Sequence, residues 1–266
     1  MTPLSDSKVF IVTGSARGLG KAMSAGLIAV GSKVLGVDLP TGNELSATAK
    51  EFGGNFYPVS ADISQPSDCA RVVDMALKVF GGLHGLVNNA GMGMQVVNEK
   101  FTTDPMPFWK VKPEQWDAMV KANSTTQFLM ATACVPHLID QKWGRIINVT
   151  TSFITMQQTG YSPYGPSKAA AEAHTVIMSA DLANTGVTAN VLAPGGPADT
   201  RMIPESTRYP DRKELVSPDQ LKAPVVWLSS IRSNGFTGKR ILAKLWTPNL
   251  SDEANIVAAV RPAGWS

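Results

Sequence analysis

Residues 9–20 read VFIVTGSARGLG and join a short apolar run to a glycine-rich turn. An apolar run of this length before glycines is typical of a buried strand that turns into a helix. Glycines make the turn tight, let a ligand approach the backbone closely and let the helix pack against the strand. Free backbone N–H groups at the start of such a helix bind phosphate. The stretch therefore predicts a βα unit that holds a dinucleotide.

Apolar runs and amphipathic stretches alternate along the rest of the chain. Strands are predicted at residues 9–12, 33–37, 56–59, 83–87, 145–149 and 187–192, and helices at residues 18–30, 45–52, 67–80, 113–139 and 163–184. Strands this apolar, separated by helices, are typical of a parallel sheet covered on both faces. We therefore predict an α/β fold, one doubly wound domain over residues 1–266, with no internal repeat or linker.

The composition argues against several classes of protein. Hydrophobic residues make up 44% of the chain and charged residues 17%, and the net charge of +3 does not indicate a nucleic-acid partner. No apolar run reaches the roughly 18–20 residues of a membrane span, and no signal peptide is predicted. The two cysteines, Cys69 and Cys134, lack a metal-ligand spacing. We expect a cytoplasmic protein without a metal site.

Tyr164 and Lys168 are spaced for proton transfer. They lie four residues apart in the stretch YGPSK, so on a helix both side chains project from the same face. An ammonium beside a phenol stabilises the phenolate, which predicts that Lys168 lowers the pKa of Tyr164 from its ordinary value of about 10. Such a tyrosine can protonate a carbonyl oxygen or deprotonate an alcohol. The alternative interpretation is a partly buried aromatic residue on an amphipathic helix.

Asp38 ends the second predicted strand, about 20 residues after the glycines. A carboxylate there accepts hydrogen bonds from both hydroxyls of an adenosine ribose and repels a 2′-phosphate. Arg17 favours the opposite preference, because a guanidinium beside the turn can pair with a phosphate. We give the carboxylate more weight and predict NAD rather than NADP. Asp62 follows the third strand, where it either accepts from the adenine amino group or caps a helix.

Two long connections leave predicted strand ends, at residues 92–112 and 195–217. Open α/β sheets bind ligands at that edge, and long loops in a compact domain are usually functional. We expect both loops to lie on the substrate side and residues 195–217 to form a lid. The apolar side chains expected to line the pocket, which favour a fairly apolar substrate, are Met92, Met94, Trp109, Met156 and Met202.

Taken together, these motifs resemble those of the short-chain dehydrogenase/reductase family over nearly the whole chain. The matching features are Thr13-Gly14 with Gly18 and Gly20, Asp62, the stretch Asn88-Asn89-Ala90-Gly91, Asn123, the strand end Thr150-Thr151-Ser152, the pair Tyr164 and Lys168, and Pro194-Gly195. Each is unspecific alone, but all occur in order at the family's spacing. The resemblance implies a Rossmann-type sheet of about seven parallel strands, a homotetramer or homodimer, and NAD(P)-dependent oxidation of alcohols or reduction of carbonyl compounds.

The resemblance also implies roles for the matching residues. Tyr164 would be the general acid/base, Lys168 would bind the nicotinamide ribose, and Asn123 would hold a helix kink and a water that links Lys168 to solvent. The residues expected to contact the cofactor are Gly14, Ser15, Arg17, Gly18, Leu19, Gly20, Asp38, Leu39, Asp62, Ile63, Asn89, Ala90, Gly91, Thr150, Tyr164, Lys168, Pro194, Gly195, Gly196 and Thr200.

The chain departs from the family pattern at three points. Thr151 stands thirteen residues before Tyr164, where the family has a serine, and Ser152 is the alternative if the loop is one residue shorter. Side chains alternate along a strand, so both hydroxyls cannot face the substrate, and the spacing favours Thr151. The segment before Thr200 is about one residue longer than usual, and the chain lacks the family's acidic-glycine ending.

The sequence therefore predicts an oxidoreductase that moves a hydride between NAD(H) and a secondary alcohol or ketone. In this hypothesis Thr151 or Ser152 orients the substrate oxygen. Two alternatives remain open: a related NAD(P)-dependent epimerase or dehydratase, and a nucleotide-binding scaffold or regulator of the same fold. The intact pair of Tyr164 and Lys168 argues against a scaffold, because a protein that only binds nucleotide needs no proton-transfer group.

Overall fold

The structure, a computed structural model, describes residues 7–204 and 211–265. Within this part of the chain the strands are β1 (Val9–Thr13), β2 (Lys33–Asp38), β3 (Phe56–Ser60), β4 (Gly85–Asn88), β5 (Gly144–Val149), β6 (Val187–Ala193), β7 (Lys239–Leu242) and β8 (Val260–Pro262). The helices are α1 (Gly18–Ala29), α2 (Glu44–Phe52), α3 (Pro66–Phe80), α4 (Pro113–Val120), α5 (Thr126–Asp140), α6 (Phe153–Met156), α7 (Tyr164–Asp181), α8 (Lys222–Leu228) and α9 (Asp252–Ala259). A π-helical segment, Lys121–Thr125, joins α4 to α5.

The eight strands of the described residues form one sheet in the order β3-β2-β1-β4-β5-β6-β7-β8. The first seven strands pair in parallel, whereas β8 pairs antiparallel with β7. The chain direction across the sheet reverses between β1 and β4, and ligands bind beside the carboxyl ends of the strands at such a point. The predicted Rossmann-type α/β fold is confirmed, with an antiparallel eighth strand that the sequence analysis did not predict.

Alternate side chains of β1 enter two separate cores. Val9 and Ile11 pack in the core that contains side chains of α3 and α5, whereas Phe10 and Val12 pack in the core that contains side chains of α1 and α8. Both faces of the sheet are therefore covered by helices. This explains why the central strands are apolar along their whole length rather than at every second position.

The last part of the chain adds α9 and β8 in place of the family ending. β8 extends the sheet beyond β7 through pairs such as Ile241 with Val260. A strand of three residues is too short to show a hydrophobic period, which is why the pattern analysis missed it.

Within residues 7–204 and 211–265, no helix combines the length and the apolar character that a membrane span requires. The same residues contain no cluster of three or more His, Cys, Asp or Glu side chains that could hold a metal ion. The assignment of residues 1–266 to a single domain stays a prediction.

Candidate active site

A cavity of about 760 Å³ lies at the carboxyl ends of the strands. The predicted site residues that line it are Gly14, Arg17, Gly18, Leu19, Asp38, Leu39, Ile63, Asn89, Ala90, Gly91, Thr150, Thr151, Tyr164, Lys168, Pro194, Gly196 and Thr200. The predicted site residues that do not line it are Ser15, Gly20, Asp62, Asn123, Ser152 and Gly195. The structure therefore brings most of the predicted residues together around one space.

The glycine turn between β1 and α1 forms one end of this cavity. Gly14 and Gly18 have φ angles of +65° and +54°, in the left-handed region that favours glycine. A Cβ atom on Gly20 would lie 2.0 Å from the carbonyl oxygen of Gly14, so only glycine lets α1 pack against the turn. Among the described residues no side chain caps the start of α1, and its first N–H groups are available for a phosphate. This turn fits the pyrophosphate of a dinucleotide.

Asn89 holds the glycine turn from the neighbouring strand. Its Nδ2 atom donates to the carbonyl oxygens of Thr13 and Gly14, both at 3.0 Å. The backbone N–H groups of Asn89 and Ala90 each donate to the hydroxyl of Thr13 at 3.0 Å. The polar side chain of Asn89 therefore fixes the shape of the turn, and Gly91 follows it into the wall of the cavity.

Asp38 lies at the end of β2, beside the glycine turn. Its Oδ2 atom accepts a hydrogen bond of 3.0 Å from the backbone N–H of Ala16, and Oδ1 accepts one of 2.9 Å from Leu39. Arg17 is paired instead with Glu44 of α2, with 2.7 Å between Nη1 and Oε2. One carboxylate, Asp38, therefore lines this end of the cavity, and a second, Glu44, pairs with the guanidinium of Arg17 outside the lining.

Asp62 lies in the turn before α3 and does not cap that helix, whose N-cap position is Gln65. Its Oδ1 atom accepts a hydrogen bond of 3.0 Å from the backbone N–H of Ser64, and hydrogen bonding to the Ser64 side chain and to this N–H lowers the pKa of the Asp62 carboxyl. The side chain stabilises the turn that precedes α3, whereas the neighbouring Ile63 lines the cavity. Contact between the Asp62 side chain and adenine stays a prediction.

Tyr164 and Lys168 project into the cavity from the first turns of α7. Burial raises the pKa of Tyr164 to about 12, although a hydrogen bond with the Thr151 hydroxyl opposes that rise. Burial lowers the pKa of Lys168 to about 8, and its Nζ atom donates to the carbonyl oxygen of Val149 at 3.1 Å. The prediction that Lys168 lowers the pKa of Tyr164 is wrong for this structure, because desolvation of the phenol dominates. The phenol is therefore protonated at neutral pH.

The hydroxyls that follow β5 have different partners. Thr151 lines the cavity together with Tyr164, and its side chain acts to lower the pKa of the phenol. The Ser152 Oγ atom accepts a hydrogen bond of 3.1 Å from the backbone N–H of Thr155 and caps α6. Thr151 is thus the hydroxyl that faces Tyr164, in the register that the spacing favoured.

Asn123 lies in the π-helical segment and is fully buried. Its Oδ1 atom accepts from the backbone N–H of Met92 at 2.8 Å, and its Nδ2 atom donates to the carbonyl oxygen of Met92 at 2.9 Å and to the Ser167 hydroxyl at 3.0 Å. A Cβ atom on Gly91 would lie 2.4 Å from Asn123 Oδ1 and 3.4 Å from Lys168 Nζ. Asn123 therefore ties the loop after β4 to α7 close to Lys168.

Comparison with known proteins agrees with this geometry. Residues 8–210 match the sequence profile of the family described as short chain dehydrogenase. The chain belongs to this family. It is accordingly an NAD(P)-dependent oxidoreductase that acts on an alcohol or a ketone, which confirms the predicted family and enzyme class.

Several relatives of this dehydrogenase carry reductase names. The 3-oxoacyl-[acyl-carrier-protein] reductase of Synechocystis sp. is 33% identical over 198 residues, which cover 73% of this chain and 76% of the relative. The acetoacetyl-CoA reductase of Shinella zoogloeoides is 30% identical over 246 residues, covering 89% and 97%. A crystal structure of the 3-ketoacyl-(acyl-carrier-protein) reductase of Brucella melitensis, complexed with NADH, superposes with a TM-score of 0.78 at 26% identity, covering 89% and 96%.

The segment after β6 covers one side of the dehydrogenase's cavity. A Cβ atom on Gly18 would lie 3.2 Å from Thr200 Cγ2, so this segment contacts the glycine turn. Gly195, with a φ of +90°, turns the chain out of the sheet, which explains why it does not line the cavity itself. The predicted lid at residues 195–217 includes residues 205–210, which lie outside the described residues.

The apolar walls agree only in part with the prediction. Met92, Met94 and Met202 line the cavity, together with Phe101 and Tyr161, which the sequence analysis did not name. Two further predictions are wrong: Met156 is buried outside the cavity lining, and Trp109 is 72% exposed. Trp109 lies in a 3₁₀ turn directed to solvent, and spacing within an irregular loop gave no signal of that direction.

Three charged residues that line the cavity, Asp199, Arg201 and Arg212, were missed, as was Glu44 beside it. Arg212 donates from Nε to Asp199 Oδ1 at 2.7 Å and from Nη2 to the carbonyl oxygen of Thr200 at 3.2 Å. Glu44 pairs with Arg17 and, at 2.6 Å, with Arg201. Only the fold brings these residues together, so no local motif could have indicated them.

Proposed function

We propose that the enzyme transfers a hydride between NAD(H) and a secondary alcohol or ketone, with Tyr164 as the general acid/base. The observation that supports this most strongly is that Thr151 and Tyr164 line the same cavity as the glycine turn, with the Thr151 side chain acting to lower the pKa of the phenol. A substrate oxygen that contacts the hydroxyls of both Thr151 and Tyr164 lies where Tyr164 can donate a proton to it or accept one from it.

In the reductive direction the neutral Tyr164 donates its proton to the carbonyl oxygen. The bound nicotinamide supplies the hydride, which is chemistry that belongs to the cofactor. Thr151 donates a hydrogen bond to the same oxygen and stabilises the negative charge that develops there. Lys168, on the same helix face as Tyr164, offers a positive charge as the phenolate forms. In the oxidative direction each proton moves the opposite way.

The preferred cofactor is NAD. Asp38 brings a carboxylate to the end of the cavity beside the glycine turn, where it disfavours a 2′-phosphate by like-charge repulsion. Arg17, the residue that would favour NADP, already pairs with Glu44. A relative of known structure was solved with NADH, which is compatible with this assignment.

The substrate is a small alcohol or carbonyl compound with an apolar body. The support is a wall of Met92, Met94, Phe101 and Met202 beside the two hydroxyls. Because the named relatives reduce 3-ketoacyl thioesters, a substrate panel should contain these thioesters as well as simple cyclic and aromatic ketones.

Tyr164→Phe tests the proposal, with reduced cofactor followed during turnover of that panel. The variant should bind NAD nearly as well as wild type and lose turnover by roughly 10²–10⁴-fold, the usual scale for a general acid/base. Turnover near wild type would contradict the role of Tyr164. Cofactor binding without turnover of any substrate by the wild-type enzyme would favour the nucleotide-binding scaffold instead.

Assembly and location are further proposals. Phe128 on α5 and Ile177 on α7 are about half exposed, at 49% and 55%, and two large apolar side chains on these helices support a homodimer or homotetramer. Cys69 and Cys134 are buried free thiols, which is compatible with a reducing cytoplasm. Light scattering and localisation of the tagged chain would test both statements.

A further inference from the structure

A buried ion pair lies behind the wall that carries Thr151. Arg240 of β7 is 2% exposed and Glu172 of α7 is fully buried, with 2.5 Å between Arg240 Nη1 and Glu172 Oε2. Neither residue lines the cavity, and neither belongs to the motifs from which the site was predicted. Glu172 nevertheless lies one helical turn after Lys168 and two turns after Tyr164 on the same helix.

The pair is bonded directly to the end of β5. The Thr150 hydroxyl donates to Glu172 Oε2 at 2.7 Å, and Arg240 Nη1 donates to the Thr150 hydroxyl oxygen at 3.2 Å. The other terminal nitrogen of Arg240, Nη2, donates to the carbonyl oxygen of Thr151. One guanidinium thus contacts the two consecutive residues at which the strand leaves the sheet. It also joins them, through Glu172, to the helix that carries Tyr164.

The C-terminal residues Gly264 and Trp265 pack around the pair of Arg240 and Glu172. The Arg240 guanidinium lies over the ring of Phe153, with 4.3 Å from Cζ to the ring centroid. Trp265 packs on Phe153 with 5.6 Å between ring centroids, and the backbone N–H of Gly264 donates to Glu172 Oε1 at 3.4 Å. The end of the chain therefore supplies part of the shell around a group that touches the active-site strand.

Stability alone is a weak explanation for such a pair. Removing two charges from water is costly, and well-packed apolar residues of similar volume often stabilise a protein as well or better. A guanidinium differs from an apolar residue in offering several donors in a rigid plane, which fixes the acceptors relative to each other. The arrangement of acceptors around Arg240, on β5 and α7, therefore points to orientation of these elements.

We propose that Arg240, held by Glu172, is a positioning residue that sets the direction of the Thr151 hydroxyl toward Tyr164. This inference rests on the proposed role of Thr151 as the hydroxyl that orients the substrate oxygen. By fixing the Thr151 carbonyl, Arg240 restricts rotation of the backbone that carries the hydroxyl. A small change in the direction of the Thr151 hydroxyl should lower the rate of the chemical step, because catalytic hydrogen bonds require accurate placement.

The main test is the double variant Arg240→Met with Glu172→Met, which removes both charges and leaves neither buried alone. We expect it to retain the cooperative unfolding and the NAD affinity of wild type, while kcat falls about 10- to 100-fold with little change in KM. Arg240→Lys is a second variant. Its ammonium keeps the charge beside Glu172 but lacks the planar fork that reaches the Thr151 carbonyl, so it too should lower kcat.

Arg145 provides a matched control. It lies at the start of β5, the strand whose far end contacts Arg240. It is also buried, at 1% exposed, and donates to the carbonyl oxygen of Ser230 and to the Ser233 hydroxyl. Arg145→Met should lower stability but leave kcat per folded molecule unchanged. A normal kcat in both Arg240→Lys and the double Met variant would overturn the inference, as would an equal loss of kcat in Arg145→Met.

A double-mutant cycle separates this inference from the proposed function. If Arg240 acts through Thr151, then in a Thr151→Val background the loss of Arg240 should lower kcat by less than threefold, because the hydroxyl that it directs is gone. Fully additive losses would overturn the inference and leave the role of Thr151 intact. An unchanged kcat in Thr151→Val alone would contradict the proposed function itself.

Discussion

The hydroxyl of Ser152 accepts a hydrogen bond of 3.1 Å from the backbone N–H of Thr155, at the start of α6. The same oxygen also contacts the Thr155 hydroxyl at 2.8 Å, and Ser152 itself does not line the cavity. Thr151, one residue earlier, lines the cavity together with Tyr164. The two adjacent hydroxyls after β5 are thus divided between a structural contact and the candidate site.

This division predicts opposite effects of two conservative substitutions. Thr151→Val removes the hydroxyl at nearly constant volume and should cost about 2–4 kcal/mol in kcat/KM, the scale of one lost oxyanion donor. Ser152→Ala removes a helix cap and should cost about 1 kcal/mol of unfolding free energy with kcat almost unchanged. Thr151→Ser, which restores a hydroxyl, is the control and should remain active. The reverse order of damage to kcat/KM would assign catalysis to Ser152.

The carboxylates at the ribose end predict how cofactor preference can be changed. Wild type should have the higher kcat/KM with NAD, and Asp38→Ser should shift the preference toward NADP by removing a charge that repels the 2′-phosphate. Glu44→Gln should add to the shift, because it releases Arg17 from its ion pair. Lys21→Gln, which breaks a separate exposed pair with Glu51, is the control. A wild-type preference for NADP would show that Arg17 outweighs both carboxylates.

The lowered pKa of Lys168 predicts a loss of activity in mild alkali. In the reductive direction Tyr164, with a pKa of about 12, keeps its proton at every pH of interest. Lys168, with a pKa of about 8, loses its positive charge as the pH rises through that value. The kcat/KM for ketone reduction should therefore fall as pH rises through about 8. Any residual activity of Lys168→Arg should lack this fall, because a guanidinium keeps its charge. A flat wild-type profile to pH 10 would contradict the prediction.

The same group predicts a pH dependence of stability. The pKa of Lys168 is about 8 in the folded protein and 10.5 in its ordinary state, so between these values the unfolded chain binds more protons. Stability therefore rises with pH where Lys168 titrates, since the buried ammonium becomes neutral. Unfolding free energy measured from pH 7.5 to 10 should increase less steeply in Lys168→Met than in wild type. If the unfolding free energy rises equally with pH in wild type and in Lys168→Met, Lys168 does not contribute to the pH dependence of stability.

Most of the sheet could be predicted because each strand carries its own signal. The apolar runs 9–12 and 34–37 lead into a glycine turn and into Asp38, so local sequence indicates both the element and its end. The pair of Tyr164 and Lys168 could be predicted for the same reason, since one helical turn places the two side chains on one face.

What the sequence could not indicate depends on contacts between distant segments. Glu172 and Arg240 are 68 residues apart, and nothing local to either residue distinguishes a buried partner from a solvated charge. The direction of the Tyr164 pKa shift was missed because it depends on burial by the surrounding loops, which a spacing of four residues does not describe. Spacing predicts which groups meet, whereas their solvent exposure follows only from the complete fold.

The segment after β6 gives the last prediction, that residues 195–204 and 211–217 close over the bound cofactor. A short bridge between Ala198 and Val216 holds its two sides together, and Arg212 clamps Asp199. Because Thr200 contacts Gly18, a nucleotide on the glycine turn lies beside this segment and should restrict its opening. Hydrogen exchange at residues 198–203 should slow when NAD binds. The variant Arg212→Lys cannot keep all three hydrogen bonds of the guanidinium. It should therefore show less protection from exchange and a higher KM for NAD. Exchange that is equally slow with and without NAD would identify the segment as a rigid wall of the cavity.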